Sequence, residues 1–237
     1  MPHKLSRALF TTLLIALLAG CAGTGASQPK AARTDQMSNR GQANLRLAYS
    51  YLNAGKMELA LDRATRGLES DPQSPDLQVV LGLIQARLGD DARAGEHYAR
   101  AVRMGGSRGD ILNVHAVWLC EQGRHAEAKA QFERAAADLL NDSRPQVLYN
   151  AALCAKKAGD LAAAESDLRL SLASRPEDPL ALGLMAEVQH ALGNPMGARA
   201  FLQRREAAGE TTPELLVLGA EIEAAAGDAA AAERYRK

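Results

Sequence analysis

From about residue 42 onward, apolar residues recur at the three- and four-residue spacing of amphipathic helices, and short polar or glycine-containing turns separate the runs. The stretch "LRLAYSYLNAGKMELAL" (Leu45 to Leu61) shows this pattern, with two apolar helical faces on either side of an Asn-Ala-Gly turn. Aromatic residues make up 4% of the chain and alanine is abundant, which favours close-packed helices over strands. The pattern predicts an all-α protein built of paired helices.

Glycines in these turns recur at intervals of 34, 34, 36, 34 and 34 residues. The six positions are Gly55, Gly89, Gly123, Gly159, Gly193 and Gly227. A 34-residue period is that of the tetratricopeptide repeat, a helix-turn-helix unit. The sequence therefore predicts a right-handed superhelical solenoid of about six such units, which begin near residues 41, 75, 109, 145, 179 and 213.

Small residues stand at two fixed distances from each glycine, as the close approach of paired helices requires. Seven residues before the glycines are Ala48, Gly82, Ala116, Ala152, Ala186 and Ala220, and five residues after them are Ala60, Ala94, Ala128, Ala164, Ala198 and Ala232. Prolines at 75, 145, 179 and 213 mark helix starts, and three are preceded by the capping residues Ser74, Asp178 and Thr212. Larger residues at other apolar positions are predicted to fill the core, among them Leu47, Tyr51, Leu81, Tyr98, Leu119, Phe132, Leu168, Met185 and Leu202.

The first twenty residues have the form of an export signal, with two basic residues, an uncharged run and two small residues. The apolar run is too short to be a membrane-spanning helix. The stretch Leu-Ala-Gly-Cys at 18–21 resembles the lipobox of bacterial lipoproteins. That resemblance implies that residues 1–20 are a signal peptide and that Cys21 carries a diacylglycerol and an N-acyl lipid, with no other cofactor. The alternative is an ordinary signal peptide whose cleavage leaves a cysteine nearby.

Residues 21–41 are rich in Gly, Ser, Ala and Gln and lack a periodic apolar face. They are predicted to be a flexible tether with a reach of about 25 Å, followed by the solenoid over 42–237. Ala22 stands where, in lipoprotein sorting, an aspartate would retain the protein at the inner membrane. The expected location is therefore the outer membrane, on its periplasmic side.

The charge balance argues against a nucleic-acid partner. Without the first twenty residues, the chain has 26 basic and 28 acidic residues. A net charge near −2 provides no electrostatic attraction for a phosphate backbone.

A solenoid of such units has a groove lined by the first helix of each unit, which is the expected partner-binding surface. Counting along the helices, the predicted groove residues are Leu45, Tyr49, Leu52, Asn53, Val79, Leu83, Arg87, Asn113 and Tyr149. The apolar members from the first two units would form an exposed patch that favours a protein partner. The alternative is that the tether or a neighbouring helix covers this patch.

Candidate chemistry is weak. Cys120 and His115 lie roughly 140° apart around a helix, so they are poorly placed as nucleophile and base. Cys120 and His125 do not have a recognised metal-ligand spacing, and no metal site or small-molecule substrate is predicted. Cys120 and Cys154 lie in neighbouring units of an exported protein, where they are either a disulfide or two buried thiols.

The whole chain resembles the tetratricopeptide lipoproteins of type IV pilus biogenesis, the pilotins of the outer-membrane secretin. The resemblance rests on the lipobox, on the stretch already quoted, and on "WLCEQGRHAEAKAQFERA" (Trp118 to Ala135) and "YNAALCAKKAGDLAAAESDLRLSL" (Tyr149 to Leu172). It implies that Cys120 and Cys154 form a disulfide, since cysteines at the matching places recur as a pair in that family. It also implies a protein that is not an enzyme and that supports twitching motility by binding the secretin and promoting its outer-membrane localisation and multimerisation.

Two other functions remain open on the sequence. Other proteins that combine a lipobox with these repeats are scaffolds for periplasmic cell-wall enzymes or for outer-membrane protein assembly. An enzyme that uses Cys120 is the third possibility.

Overall fold

The computed structural model describes residues 37–137 and 142–237, which form twelve α-helices and no strands. The all-α prediction is confirmed. The helices are α1 (Asn39–Asn53), α2 (Met57–Ser70), α3 (Pro75–Arg87), α4 (Asp91–Gly105), α5 (Gly109–Glu121), α6 (His125–Ala136), α7 (Arg144–Lys157), α8 (Leu161–Ser174), α9 (Pro179–Ala191), α10 (Pro195–Ala208), α11 (Pro213–Ala225) and α12 (Ala229–Arg236). They form six pairs, in which the odd-numbered helices are the first helices and the even-numbered ones the second helices.

Each pair is joined by a short turn at one of the periodic glycines. Gly89 has φ of +78° and Gly159 has φ of +82°. This left-handed conformation is readily adopted by glycine and rarely by other residues. All six periodic glycines have positive φ, so the 34-residue period marks the turn inside each helix pair.

The small residues at the two fixed distances are all buried at helix contacts, as predicted. Ala48, Ala116 and Ala152 have no exposed surface. At Gly82, an added Cβ would lie 2.7 Å from the Tyr98 ring, which shows how closely α3 and α4 approach. Leu47 is the exception among the predicted core residues, since it is 41% exposed and no described helix precedes α1 to cover it.

The three predicted capping residues act as N-caps. The side chain of Ser74 accepts a hydrogen bond from the backbone N–H of Leu77, and Thr212 accepts one from Leu215. Asp178 accepts from two backbone N–H groups at the start of α9. Each cap satisfies donors that lack a partner within the helix. The fourth unit begins at Arg144, one residue before its predicted start.

The packing of helices between units defines an inner and an outer layer. Each first helix contacts the next first helix, from α1 and α3 through to α9 and α11. Within the described part of the chain, no second helix contacts the next second helix. The first helices therefore form the closely packed inner layer of the array, and the predicted groove residues all lie on these helices.

The start of the array lies slightly earlier than predicted. Ser38 caps α1 by accepting from the N–H of Gly41, and its own N–H and hydroxyl donate to the carboxylate of Asp71 at distances of 2.9 and 2.7 Å. The predicted tether, residues 21–41, thus overlaps the first helix by residues 39–41, because these polar contacts extend the helix beyond its apolar face. Cys21 and the predicted signal peptide lie outside the described residues.

Candidate partner-binding groove

The apolar end of the groove lies on the first two units. Leu45 and Tyr49 on α1 and Leu83 on α3 are half-buried and pack against the core cluster that joins these units. Each keeps part of its side chain exposed, on a helix of the inner layer. These three residues form a partly exposed apolar surface on the first two units, which is called the inner patch below.

Two of the predicted groove residues are core residues instead. Leu52 is 3% exposed and packs among the core residues of α1, α2 and α3, and Val79 is 5% exposed and packs with Ala101 and Ile111. The prediction that they line the groove is wrong, because neighbouring helices cover them. The sequence left open the alternative that a neighbouring helix covers the apolar patch, and this alternative applies to Leu52 and Val79.

A charged cluster borders the inner patch at the junction of the second and third units. The guanidinium of Arg108 donates to both carboxylate oxygens of Asp76, at 3.0 and 2.7 Å, and also to the carboxylate of Asp110, at 2.7 Å from Nη2. Burial and the charges of Asp76 and Asp110 raise the pKa of Tyr49, while the charge of Arg108 opposes them. The phenol of Tyr49 is therefore neutral at physiological pH. No hydrogen bond within the described part of the chain uses it, so it is free to bond to a partner.

The middle of the groove is polar. The amide of Asn150 donates to Asn113 Oδ1 at 3.1 Å and accepts from Gln146, also at 3.1 Å. This pair joins α5 to α7, and the ammonium of Lys156 contacts the carboxylate of Glu187 to join α7 to α9. The groove thus changes from apolar at the first unit to amide-rich and charged farther along.

The remaining predicted groove residues lie around these two regions. Tyr149 is half-buried on α7, and burial together with the charges of Glu187 and Asp178 raises the pKa of its hydroxyl. Asn53 and Arg87 are exposed at the C-terminal ends of α1 and α3. They are available to a partner but lie away from the inner patch along their helices.

The two cysteines of the array form a disulfide. The Sγ atoms of Cys120 and Cys154 are 2.12 Å apart and their Cα atoms 5.9 Å apart, so the bridge joins α5 to α7. Nδ1 of His125 lies 3.8 Å from one sulfur and 3.7 Å from the other. These three residues have the chemistry of soft-metal ligands, but neither sulfur of a disulfide is a thiolate that could bind a metal. The sequence did not indicate the position of His125, because it depends on how α6 packs against two other helices.

The structure does not pair Cys120 with His115. The ring of His115 stacks on the ring of Trp118 with centroids 6.0 Å apart, and the sulfur of Cys120 is bonded to Cys154. The nucleophile-and-base arrangement that the third hypothesis requires is therefore not formed by these residues. In the described parts of the chain, the helices are also too short or too polar to cross a membrane.

The comparison with known families agrees with this architecture. The Tetratricopeptide repeat family matches residues 45–108 and 119–179, which is more than half of the chain. The chain belongs to the tetratricopeptide repeat family. Its repeats continue after the second matched segment, with the same glycine and alanine positions.

Among tetratricopeptide repeat proteins, this one is similar to components of the type IV pilus system. It is 27% identical over 214 residues to the Type IV pilus assembly protein PilF of Pseudomonas aeruginosa, and the match covers 90% of this chain and 84% of PilF. A crystal structure of PilW, described as a widely conserved type IV pilus biogenesis factor, matches with a TM-score of 0.77 and 26% identity over 84% of this chain and 91% of PilW. A structure of Pseudomonas aeruginosa pilF matches with a TM-score of 0.75 and 25% identity, covering 83% and 88% of the two chains. These relatives are thus tetratricopeptide repeat proteins of type IV pilus biogenesis, and the tetratricopeptide repeat fold is one of protein–protein interaction.

Proposed function

We propose that this chain is a pilotin: a lipoprotein of type IV pilus biogenesis that binds the secretin and promotes its outer-membrane localisation and multimerisation. The observation that carries the proposal is the length of the similarity to PilF. The match spans 214 residues, more than the 201 residues from Met37 to Lys237. The similarity therefore extends beyond the repeats into the preceding segment, which generic similarity between repeats does not explain.

In this proposal, Cys21 supplies the anchor. A single acyl chain holds a protein at a membrane only marginally, at about 0.8 kcal/mol for each buried methylene, whereas two or three chains make the attachment stable. The segment between Cys21 and Ser38 then separates the array from the lipid surface. The alanine at position 22 supports sorting to the outer membrane on its periplasmic side.

The inner patch and the charged cluster beside it form the proposed secretin-binding surface. Three half-buried side chains, Leu45, Tyr49 and Leu83, provide apolar contact, and the free hydroxyl of Tyr49 provides a hydrogen-bond donor. An aromatic residue with a polar tip is a common anchor of protein interfaces. The groove therefore suits a short secretin segment that brings apolar side chains and a backbone or side-chain acceptor.

Deletion of the gene tests this proposal against the scaffold hypothesis. The pilotin proposal predicts that deletion abolishes twitching motility and secretin multimers while the cell envelope keeps its integrity. Reintroduction of the intact gene should restore both, and a Cys21→Ser variant should leave monomeric secretin that does not reach the outer membrane. Normal multimers in the deletion strain would overturn the proposal, and an envelope defect without a secretin defect would favour a scaffold for cell-wall enzymes or outer-membrane protein assembly.

A further inference from the structure

A second groove lies on the outer side of the array, between α6 and α8, with α7 as its floor. It has a volume of about 570 Å³, which is in the range of ligand pockets. Alanine is the commonest residue of its wall, and the other lining residues include Phe132, Leu148, Cys154 and Asp167. It is called the outer groove below, and it is separate from the groove formed by the first helices.

The outer groove is open because the fourth unit has small side chains where its neighbours have large ones. The positions eight and five residues before the turn glycine are Ala151 and Cys154 in this unit. In the other central units the same two positions are Leu81 and Ile84, His115 and Trp118, and Met185 and Val188. Each of these other residues except His115 is less than 7% exposed, so large side chains fill the corresponding space in the second, third and fifth units.

The third unit shows what fits in such a space. The Trp118 ring reaches α4, where a Cβ added at Gly95 would lie 2.8 Å from it, and it packs against Tyr98 with centroids 5.5 Å apart. The guanidinium of Arg124 lies 5.7 Å from the centre of the Trp118 ring. In that unit the protein itself supplies a bulky ring with a cation beside it.

The outer groove also contains a carboxylate, that of Asp167, for which the described residues provide no hydrogen-bond partner. Asp167 occupies the position of His97 in the second unit, where the imidazole bonds to Gln78 at 2.8 Å. In the fourth unit the position of Gln78 is Leu148, which cannot hydrogen-bond. Within the described residues, Asp167 accordingly has neither a hydrogen bond nor an ion pair.

The charged groups around Asp167 do not neutralise it. Lys129 lies 3.9 Å from the carboxylate of Asp160, and the guanidinium of Arg144 donates to the carbonyl oxygen of Ala136 at 2.8 Å. Burial raises the pKa of Asp167 to about 6, against the attraction of Lys129 and with the help of Glu133 and Asp160. A cation bound in the groove would therefore form an ion pair with a carboxylate that is partly desolvated and otherwise unpaired.

We propose that the outer groove binds a segment of a partner protein that presents a bulky apolar side chain next to a lysine or arginine. The apolar side chain fills the space left by Ala151 and Cys154, and the cation pairs with Asp167. The lining residues of the outer groove lie between His125 and Leu170, and the inner patch lies on α1 and α3, so the two surfaces share no residue and the partner of the outer groove binds independently of the proposed secretin site. A failure of the secretin proposal leaves this one standing.

Nuclear magnetic resonance of the ¹⁵N-labelled full chain tests the proposal with two probes that share an indole ring and carry opposite charges. Tryptamine carries an indole and an ammonium, and indole-3-propionate carries an indole and a carboxylate. Tryptamine is expected to cause saturable shifts in the amides of Ala151, Ala163 and Asp167, with an affinity at least roughly tenfold higher than that of indole-3-propionate, since about 1.4 kcal/mol of charge preference corresponds to a factor of ten.

Three variants separate the two parts of the site. Ala151→Met introduces the residue that the fifth unit has at this position and should abolish the tryptamine shifts by filling the space. Asp167→Asn keeps the shape and should reduce the affinity for tryptamine to that for indole-3-propionate. Glu69→Gln removes an exposed carboxylate on α2 and should leave both affinities unchanged.

The absence of saturable shifts in the unmodified protein, equal affinities for the two probes, or unchanged tryptamine binding by Ala151→Met would each overturn the proposal. Sedimentation of the probe-free protein as a dimer that Ala151→Met converts to a monomer would instead assign the groove to a second copy of the chain, and would also overturn it. If Ala151→Met does not fold, the comparison of the two probes on Asp167→Asn remains decisive.

Discussion

Arg108 and Asp76 form a two-bond ion pair across the junction of the second and third units, with N–O distances of 3.0 and 2.7 Å. Each side chain is about one-third exposed. The pair joins the loop before α5 to the start of α3 and lies beside Tyr49. It therefore holds two units in register at the border of the inner patch.

Arg108→Lys should lower the free energy of unfolding by about 0.5 to 1 kcal/mol, because a lysine ammonium cannot make both bonds and the pair is partly screened by water. Urea denaturation at low and high salt measures the effect, which should shrink at high salt. Arg66→Lys is the matched control, since Arg66 pairs with Asp62 on the more exposed surface of a single helix. Equal effects of the two substitutions would show that Arg108 has no special role between units.

Reduction of the Cys120–Cys154 disulfide should destabilise the array by about 3 to 4 kcal/mol. The bridge closes a loop of 34 residues, and its loss restores conformational freedom to the unfolded chain. Urea denaturation with and without a phosphine reductant measures this difference. A Cys120→Ser, Cys154→Ser double variant should match the reduced protein and should not respond to the reductant; a reductant effect on that variant would show that the loss has another cause.

Gly159→Ala should destabilise the protein by about 1 kcal/mol, because φ at this turn is +82° and alanine is disfavoured there. For a protein of this size the melting temperature should fall by roughly 2 to 4 °C. Gly209→Ala is the control, since Gly209 has an extended backbone that alanine also adopts. A control effect as large as that of Gly159→Ala would contradict the role assigned to the turn.

Asp167→Asn should make the protein more stable at pH 7. The folded-state pKa of Asp167 is about 6, above its ordinary value of 3.8, so the folded protein binds more protons than the unfolded chain between these values. The wild type therefore loses stability as the pH rises from about 4 to 6, and the variant lacks this loss. After allowance for solvent around the half-exposed carboxylate, the gain at pH 7 is about 1 kcal/mol, and it should vanish near pH 3.5. A gain that does not depend on pH would contradict this account.

The repeat architecture is predictable from the sequence because glycines such as Gly89 and alanines such as Ala152 each satisfy a local requirement, a left-handed turn or a close helix contact. The surface available in the groove is less predictable. The pattern predicts that both Tyr49 and Leu52 line the groove, and Tyr49 is indeed half-buried. It could not show that neighbouring helices cover Leu52, since helical periodicity gives the direction of a side chain and not how far the neighbouring helices cover it.

Contacts between residues that are far apart in the sequence are less predictable than the exposure of groove residues. Nothing in the sequence around Arg108 indicates that its side chain bonds to Asp76, which lies 32 residues earlier. The outer groove becomes visible in the sequence only when equivalent positions are compared between units, where Ala151 stands among leucine, histidine and methionine. Such a comparison detects a missing side chain, but the packing of α6, α7 and α8 is needed to show the resulting space.

The central claim, that the inner patch binds the secretin, is tested most directly by Leu45→Asp in the full-length protein. Leu59→Asp is the control, because Leu59 is a leucine of the same unit that is 44% exposed on the second helix. Circular dichroism should show both variants folded. We predict that secretin multimers in the outer-membrane fraction fall at least about tenfold with Leu45→Asp, as for loss of about 1.4 kcal/mol or more of binding free energy, and stay at the wild-type level with Leu59→Asp. Wild-type multimer levels with folded Leu45→Asp would contradict the claim.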